Sequence, residues 1–165
     1  EKQEMAPGVF MTMHQANAEN PVEGGWHRGT STEGGFAVDL PLPFNDFRIT
    51  GPASDGGDLD TDTLGVKTPG LLAYSATCIS SPVTFPEGQC GKTLNKIGDP
   101  AEVSEARGDM SGFEAETDKA HGQCWIDESA KRTCFLIIET QGEDAMPDAK
   151  DRRRFFDSFD PTAGT

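Results

Sequence analysis

The sequence lacks several features that would place it in a familiar class of protein. No apolar run reaches the roughly 18 to 20 residues that a membrane-spanning helix requires. Basic side chains are scarce, 14 against 28 acidic ones, and the formal net charge is -14. A chain of this charge is repelled by phosphate backbones over most of its surface. We therefore expect no membrane span and no nucleic-acid partner.

The common catalytic signatures are also missing. The chain contains no Gly-x-Ser-x-Gly elbow, no Gly-rich phosphate-binding loop and no His-Glu-x-x-His pair. Nucleophilic catalysis by His27 or His121 would require an activated Ser or Cys and an orienting carboxylate beside the imidazole. The sequence does not show such proximity. We predict that the protein is not an enzyme, with a secreted hydrolase as an alternative.

The four cysteines form no Cys-x-x-Cys pair, which argues against a zinc ribbon or a thioredoxin-type redox site. We expect two disulfides. Two strands that fold about Ser129 would place Cys124 opposite Cys134, which leaves Cys78 to pair with Cys90. The alternative is four buried free thiols in a cytoplasmic protein.

Disulfides persist in oxidising compartments. The chain begins at Glu1 rather than at a methionine, as a processed protein would. These two observations favour a periplasmic or secreted protein. Lipid anchoring through a removed leader is compatible with the same observations.

A length of 165 residues fits one domain. Residues 1–33 show no sustained helical or strand period and are predicted to form an N-terminal arm or loops, whereas residues 34–165 are predicted to form a single α+β domain. Alternating apolar side chains and apolar runs predict strands at residues 35–41, 46–50, 63–66, 71–80, 112–117, 123–127 and 132–140. Helix start signals predict helices at residues 99–106 and about 144–160.

Two short segments carry a resemblance to a known family. They read GFAVDLP at residues 35–41 and FFDSF at residues 155–159. With the order of the elements between them, residues 34–160 resemble bacterial relatives of the PsbP-like superfamily. The resemblance implies an α/β/α sandwich, in which an antiparallel sheet is covered by helices. It also implies an accessory or binding protein, and it supplies no catalytic residues.

The sharpest candidate for a metal site lies within residues 51–62, whose many Gly and Asp residues predict an exposed acidic loop. Alternating carboxylates can converge on calcium, which takes six to eight oxygen ligands. An EF-hand is not indicated, because Thr63 and Pro69 stand where Gly and Glu would be needed. A solvated loop without metal is the alternative. The candidate ligands are Asp55, Asp58, Asp60 and Asp62.

These observations together predict a non-catalytic extracytoplasmic accessory or binding domain. Its ligand would be a protein or a small molecule held on the sheet face or by the loops. A calcium-binding protein and a secreted hydrolase are the two alternatives, and calcium is the candidate cofactor.

Overall fold

Strands dominate the computed structural model, which describes residues 1–18, 25–41, 43–53, 56–81 and 88–163. The strands are β1 (Lys2–Ala6), β2 (Val9–His14), β3 (Asn17–Ala18), β4 (His27–Thr30), β5 (Ala37–Leu40), β6 (Asn45–Pro52), β7 (Asp58–Lys67), β8 (Leu72–Ser80), β9 (Ala101–Arg107), β10 (Met110–Glu116), β11 (Ala120–Asp127) and β12 (Arg132–Thr140). The helices are α1 (Gly88–Leu94) and α2 (Ala149–Asp157). Neither of these two helices is long and apolar enough to cross a membrane.

Nine of the strands form one antiparallel sheet in the order β1-β2-β6-β7-β8-β12-β11-β10-β9. Strands β3, β4 and β5 form a separate small sheet, which the chain inserts between β2 and β6. Most neighbours in the large sheet are joined by short connections, whereas β8 pairs with β12 across a long stretch of chain. The large sheet therefore consists of two halves that meet along the pairing of β8 with β12.

The two sides of the large sheet are covered differently. We call the side that packs against α2 and the small sheet the α2 face, and the opposite side the α1 face. The larger core lies on the α2 face and includes Phe36, Leu64, Trp125 and Phe155. The smaller core, under α1, includes Leu94. Because strand side chains alternate between faces, each strand contributes to both environments.

Helix α2 confirms the prediction of a C-terminal amphipathic helix, in a shorter form than expected. Asp148 caps its N-terminus by accepting a hydrogen bond from the backbone N–H of Asp151 at 2.9 Å. Phe155, Phe156 and Phe159 are all buried on the sheet. Full burial of such a side chain stabilises the fold by about 1.5 to 3 kcal/mol.

The predicted α+β class with a helix-covered α/β/α sandwich is wrong. The described chain is mostly strand, and its two helices have seven and nine residues. Helix α1 contacts β10 and β11 and so lies over one part of its face. The seven predicted strands are each found, as β5, β6, β7, β8, β10, β11 and β12.

The helix predicted at residues 99–106 is strand β9. Asp99 and Pro100 form a helix start signal, and the Ala and Glu residues that follow are good helix formers. In the structure, Val103 and Glu102 instead pair with Gly112 and Phe113 of β10. Hydrogen bonding within the β9–β10 hairpin has overridden the local preference.

The acidic segment and the N-terminal segment are also strands where loops were expected. Residues 58–62, predicted as part of an exposed loop, form the first half of β7, which pairs with β6 and β8. Residues 2–14 form the β1–β2 hairpin, which extends the large sheet beside β6. The domain boundary at residue 33 stays a prediction, with β4 and β5 paired across it.

Two disulfides are present, as predicted, but their pairing differs from the predicted one. Cys78 is bonded to Cys134 and Cys90 to Cys124. The first bond joins directly opposed residues of β8 and β12 on the α2 face. The second joins helix α1 to β11 on the α1 face.

The predicted bond between Cys124 and Cys134 was wrong because the register of the β11–β12 hairpin differs from the expected one by one residue. The β11–β12 hairpin sets Trp125 opposite Cys134 and Cys124 opposite Phe135. A shift of one residue turns every side chain to the other face of a sheet. Cys124 and Cys134 therefore lie on opposite faces and cannot bond to each other.

Candidate functional site

Two of the predicted calcium ligands contact an arginine in the structure. Asp60 and Asp62 lie on the α2 face of β7, beside Arg48 of β6. Arg48 donates from Nε to Asp62 Oδ1 at 2.8 Å and from Nη2 to Asp62 Oδ2 at 2.7 Å. Its Nη1 lies 3.5 Å from Asp60 Oδ2 and 3.5 Å from Glu33 Oε1. The guanidinium is the cation that these carboxylates surround.

The charge of Arg48 is firmly held in this position. The side-chain hydrogen bond to Asp62 raises the pKa of Arg48 above its ordinary value, and Asp60 and Glu33 add to the effect. Asp58 is exposed at the start of β7, and Asp55 lies outside the described residues. Within the described ranges, no three His, Cys, Asp or Glu side chains are arranged to hold a metal ion. Calcium binding stays a prediction.

A larger candidate site lies on the α1 face, in a cavity of about 680 Å³. We call it the acidic groove. Its position was not predicted from the sequence, because it depends on the register between β9, β10 and β11. It is lined by Glu102, Asp109, Ser111, Phe113, Ile126, Asp127, Glu128 and Ser129.

The floor of the acidic groove is apolar. Phe113 of β10 and Ile126 of β11 are half-buried, and both pack against the smaller core under α1. Strand pairing sets Ser111 opposite Ile126, which fixes both side chains on the same face. The floor therefore rests on rigid strands rather than on loops.

The rim of the groove carries four carboxylates. Glu102 lies on the edge strand opposite Phe113, and Asp109 belongs to the β9–β10 turn. The other two, Asp127 and Glu128, lie where β11 enters its hairpin turn. The residues described as lining this groove include no Lys, Arg or His. The groove presents negative charge around an apolar floor.

Asp127 is a fixed member of this rim. The backbone N–H of Ala130 donates to its Oδ1 at 3.0 Å, and the Ser129 hydroxyl donates to the same oxygen at 2.8 Å. These hydrogen bonds lower the pKa of Asp127, with the bond from Ala130 contributing most. Asp127 is therefore ionised over the whole physiological pH range.

A second, smaller cleft lies on the α2 face beside helix α2 and has a volume of about 250 Å³. We call it the His121 cleft. It adjoins a further cavity of about 360 Å³, with which it shares Gln123 and Asp157. His121 is 9% exposed, and its ring centroid lies 4.4 Å from that of Phe156. One of the two histidines considered from the sequence thus lies in a cleft.

A chain of polar contacts runs from the adjoining cavity into the His121 cleft. Trp125 donates from Nε1 to Gln123 Oε1 at 3.1 Å, and Gln123 donates from Nε2 to Glu114 Oε2 at 2.6 Å. His121 Nε2 lies 3.1 Å from the same Glu114 oxygen. Neither ring nitrogen, however, has a partner in hydrogen-bonding geometry. The two side chains thus approach closely without the alignment of a hydrogen bond.

An ion pair closes one end of this cleft. Arg152 of α2 pairs with Glu116 of β10, and this hydrogen bond lowers the pKa of Glu116. The residues described as lining the cleft include no Ser, Thr or Cys. The arrangement can bind a polar group or position a water, but it offers no side-chain hydroxyl or thiol nucleophile.

The resemblance to the PsbP-like superfamily stays a prediction, and the function has to be inferred from the two sites. Comparison of the chain with protein-family models, with curated proteins and with solved structures gives no match.

Proposed function

We propose that this protein is a non-catalytic extracytoplasmic binding domain whose acidic groove holds a basic, partly apolar peptide segment of a partner protein. The observation that carries the proposal is the composition of the groove. Four carboxylates surround a floor of Phe113 and Ile126, and the described lining contains no Lys, Arg or His side chain. A Lys or Arg side chain on an apolar stem complements both parts.

Electrostatics supports a basic partner. The chain carries a net charge of -14, which attracts cationic partners from a distance and raises the rate of encounter. The apolar floor then selects among cationic partners, because burial of apolar area contributes about 25 cal/mol per Å². Charge and apolar area thus act at different stages of the same binding event.

The neighbouring edge of the sheet supports an extended peptide as the ligand. Strand β9 is the last strand of the large sheet, so no further strand of the described sheet pairs with its outer side. Peptides commonly bind by adding a strand to such an edge, with alternate side chains entering pockets beside it. Glu102 belongs both to this strand and to the groove lining.

The same lining argues against catalysis in the groove. Ser111 and Ser129 are exposed, and Ser129 donates to Asp127 without an intervening imidazole. The histidine that activates the nucleophile in a Ser-His-Asp triad is absent from the described lining. The two disulfides support an oxidising compartment for the domain.

Neutralising the rim tests the groove directly. We expect Glu102→Gln with Asp109→Asn to weaken binding of a fluorescently labelled peptide of alternating Lys and Leu by about four- to twentyfold. Each exposed carboxylate contributes up to about 1 kcal/mol, or about fivefold in affinity. Fluorescence anisotropy at low and high salt measures the change, and the remaining binding should depend less on salt.

The matched control is Glu105→Gln, which removes one negative charge from the same strand and is compared with Glu102→Gln alone. Glu105 lies in the cavity on the α2 face, away from the groove. An equal loss of affinity in this control would show that general charge attraction, rather than the groove, holds the peptide. Failure of the wild-type protein to prefer the Lys-Leu peptide over a Glu-Leu peptide would end the proposal.

A secreted hydrolase is the second candidate, favoured by the 3.1 Å contact between His121 and Glu114 in a cleft. In this case His121 would activate a water, because the described lining holds no nucleophilic side chain. A carboxylate beside the imidazole is the arrangement that orients a catalytic base.

Turnover of chromogenic esters, phosphates and glycosides distinguishes the two candidates. The binding proposal expects no turnover that depends on His121, so that wild type and His121→Asn give equal rates. A rate lost in His121→Asn and retained in Glu102→Gln would replace the binding function by hydrolysis. Thermal unfolding of both variants checks that they are folded.

A further inference from the structure

The α1 face of β2, β6, β7 and β8 is almost without charge. Strand register assigns sixteen residues to this part of the face. Lys67, at the end of β7, is the one charged residue among them. The full set is Val9, Met11, Met13, Asn45, Phe47, Ile49, Gly51, Leu59, Thr61, Thr63, Gly65, Lys67, Ala73, Ser75, Thr77 and Ile79. We call it the uncharged sheet face.

One end of the uncharged sheet face is apolar and open to solvent. Met13 is 41% exposed, and the other apolar residues of β2 and β6 are half-buried. None of these side chains packs against either core. Large exposed apolar patches on a protein surface commonly mark interaction sites. The six residues of this patch are Val9, Met11, Met13, Phe47, Ile49 and Leu59.

No described helix covers the patch. Helix α1 lies on the same side of the sheet, but its main contacts are with β10 and β11, in the other half. The opposite side of the same strands is charged, with Asp46, Arg48, Asp60 and Asp62 on the α2 face. On these four strands the charged side chains thus lie on the α2 face, apart from Lys67.

The residue types fit an interface. Interface cores are depleted of charged residues, and methionine is enriched in them. Met11 and Met13 have flexible thioether side chains, which adapt to the shape of a facing surface. At 25% charged residues, about four of these sixteen positions would carry a charge, whereas one does.

We propose that the uncharged sheet face is covered by the same face of a second copy of this chain. A basic partner would find no carboxylate to pair with on this face, so charge complementarity directs such a partner elsewhere. The face requires a surface that is itself uncharged and apolar. Two copies related by a twofold axis supply that surface to each other, with the two sheets stacked about 10 Å apart.

The interface formed in this way is small. Four strands about 4.8 Å apart and about eight residues long span roughly 19 by 27 Å. This projected area, about 500 Å² per copy, is below the roughly 800 Å² per partner of a standard interface. The association is therefore a concentration-dependent dimer rather than a permanent one.

Sedimentation velocity over a range of protein concentrations tests the dimer. We expect wild type to shift from monomer to dimer within the micromolar to millimolar range, and Met11→Glu to raise the dimer dissociation constant at least about tenfold, because two carboxylates would lie unpaired in the interface. Thr12→Glu is the matched control. It adds the same charge to the same strand on the α2 face and should dimerise nearly as wild type does.

Salt provides an independent readout. Two copies of charge -14 repel each other, so screening by salt should strengthen a dimer that is held by uncharged faces. Met13→Glu, at the most exposed position, serves as a second variant in case Met11→Glu does not fold. A wild type that stays monomeric up to about 1 mM overturns the proposal. So does a dimer that folded Met11→Glu or Met13→Glu leaves unchanged.

Discussion

Asp62 shows how a single long-range partner decides the structure of an acidic segment. Its side chain is 4% exposed, and a carboxylate cannot be buried in this way without strong hydrogen-bond donors. Arg48 supplies two donors in the planar arrangement that matches a carboxylate. The aspartate-rich sequence of β7 is therefore compatible with a central strand.

Removing this carboxylate should destabilise the fold. We expect Asp62→Asn to lower the free energy of unfolding by about 2 to 3 kcal/mol, because Arg48 then loses a charge-assisted pair of hydrogen bonds in a largely buried position. Urea denaturation monitored by circular dichroism measures the change. Asp60→Asn, whose side chain is 36% exposed, should cost about 1 kcal/mol or less. Equal losses in the two variants would contradict this account.

The sequence could not reveal this pairing. Alternation of Asp58, Asp60 and Asp62 with Leu59 and Thr61 has the period of a strand, but the Gly and Asp content favours a loop. The deciding fact is that Arg48 lies directly opposite Asp62 in the neighbouring strand. A residue pair that is brought together only by strand register leaves no local signal.

At the scale of elements, helix α1 depends on its disulfide. It has seven residues, which is too short for a helix to be stable alone in water. Leu94 packs into the smaller core, and Cys90 bonds to Cys124 of β11. The other disulfide, Cys78–Cys134, joins strands that already share a ladder of hydrogen bonds.

Removing each disulfide should therefore have a different local effect. We expect Cys90→Ala with Cys124→Ala to abolish slow hydrogen exchange in α1 while β8 and β12 stay protected. Cys78→Ala with Cys134→Ala should lower overall stability but leave α1 protected relative to the other elements. Native-state hydrogen exchange with mass spectrometry resolves the two patterns. Retained protection of α1 in the first variant would refute the dependence on its disulfide.

Elements with a strong local pattern were predictable, and edge elements were not. The alternation in β5 and β8, and the phenylalanines of α2, reflect burial that repeats along the element itself. Strand β9 is mostly exposed, so its side chains show no alternation and its helix formers dominate the local signal. The β1–β2 hairpin lacks a buried face for the same reason.

At the scale of the whole molecule, the predicted fold class was wrong in two respects. Helices were expected to cover the sheet, and several strands, including β1, β2 and β9, were expected to be loops or a helix. The sequence patterns predicted most of the central strands. The family resemblance then implied that helices cover both faces of the sheet. Among the described residues, one helix and a small sheet cover the α2 face, whereas helix α1 lies over only part of the α1 face. The acidic groove and the uncharged sheet face both lie on this incompletely covered side.

Neither site could be located from the sequence. Phe113 and Ile126 are unremarkable strand residues until the β10–β11 register brings them together as a floor. The uncharged sheet face is dispersed over four strands, and no single segment of it is unusual. By contrast, the four cysteines were correctly assigned to disulfides, because the absence of Cys-x-x-Cys pairs is a local property.

The pairing of β8 with β12 has a consequence for how the chain folds. Strands β6 to β8 and β9 to β12 each form from neighbours in sequence, whereas β8 and β12 meet only when segments 56 residues apart come together at Cys78 and Cys134. Contacts of such separation form slowly, because the entropy of closing the loop is lost before they are made. We therefore expect this encounter to limit the folding rate. The disulfide between Cys78 and Cys134 can form only after β8 and β12 have come together, so its formation reports that the two halves of the sheet have paired.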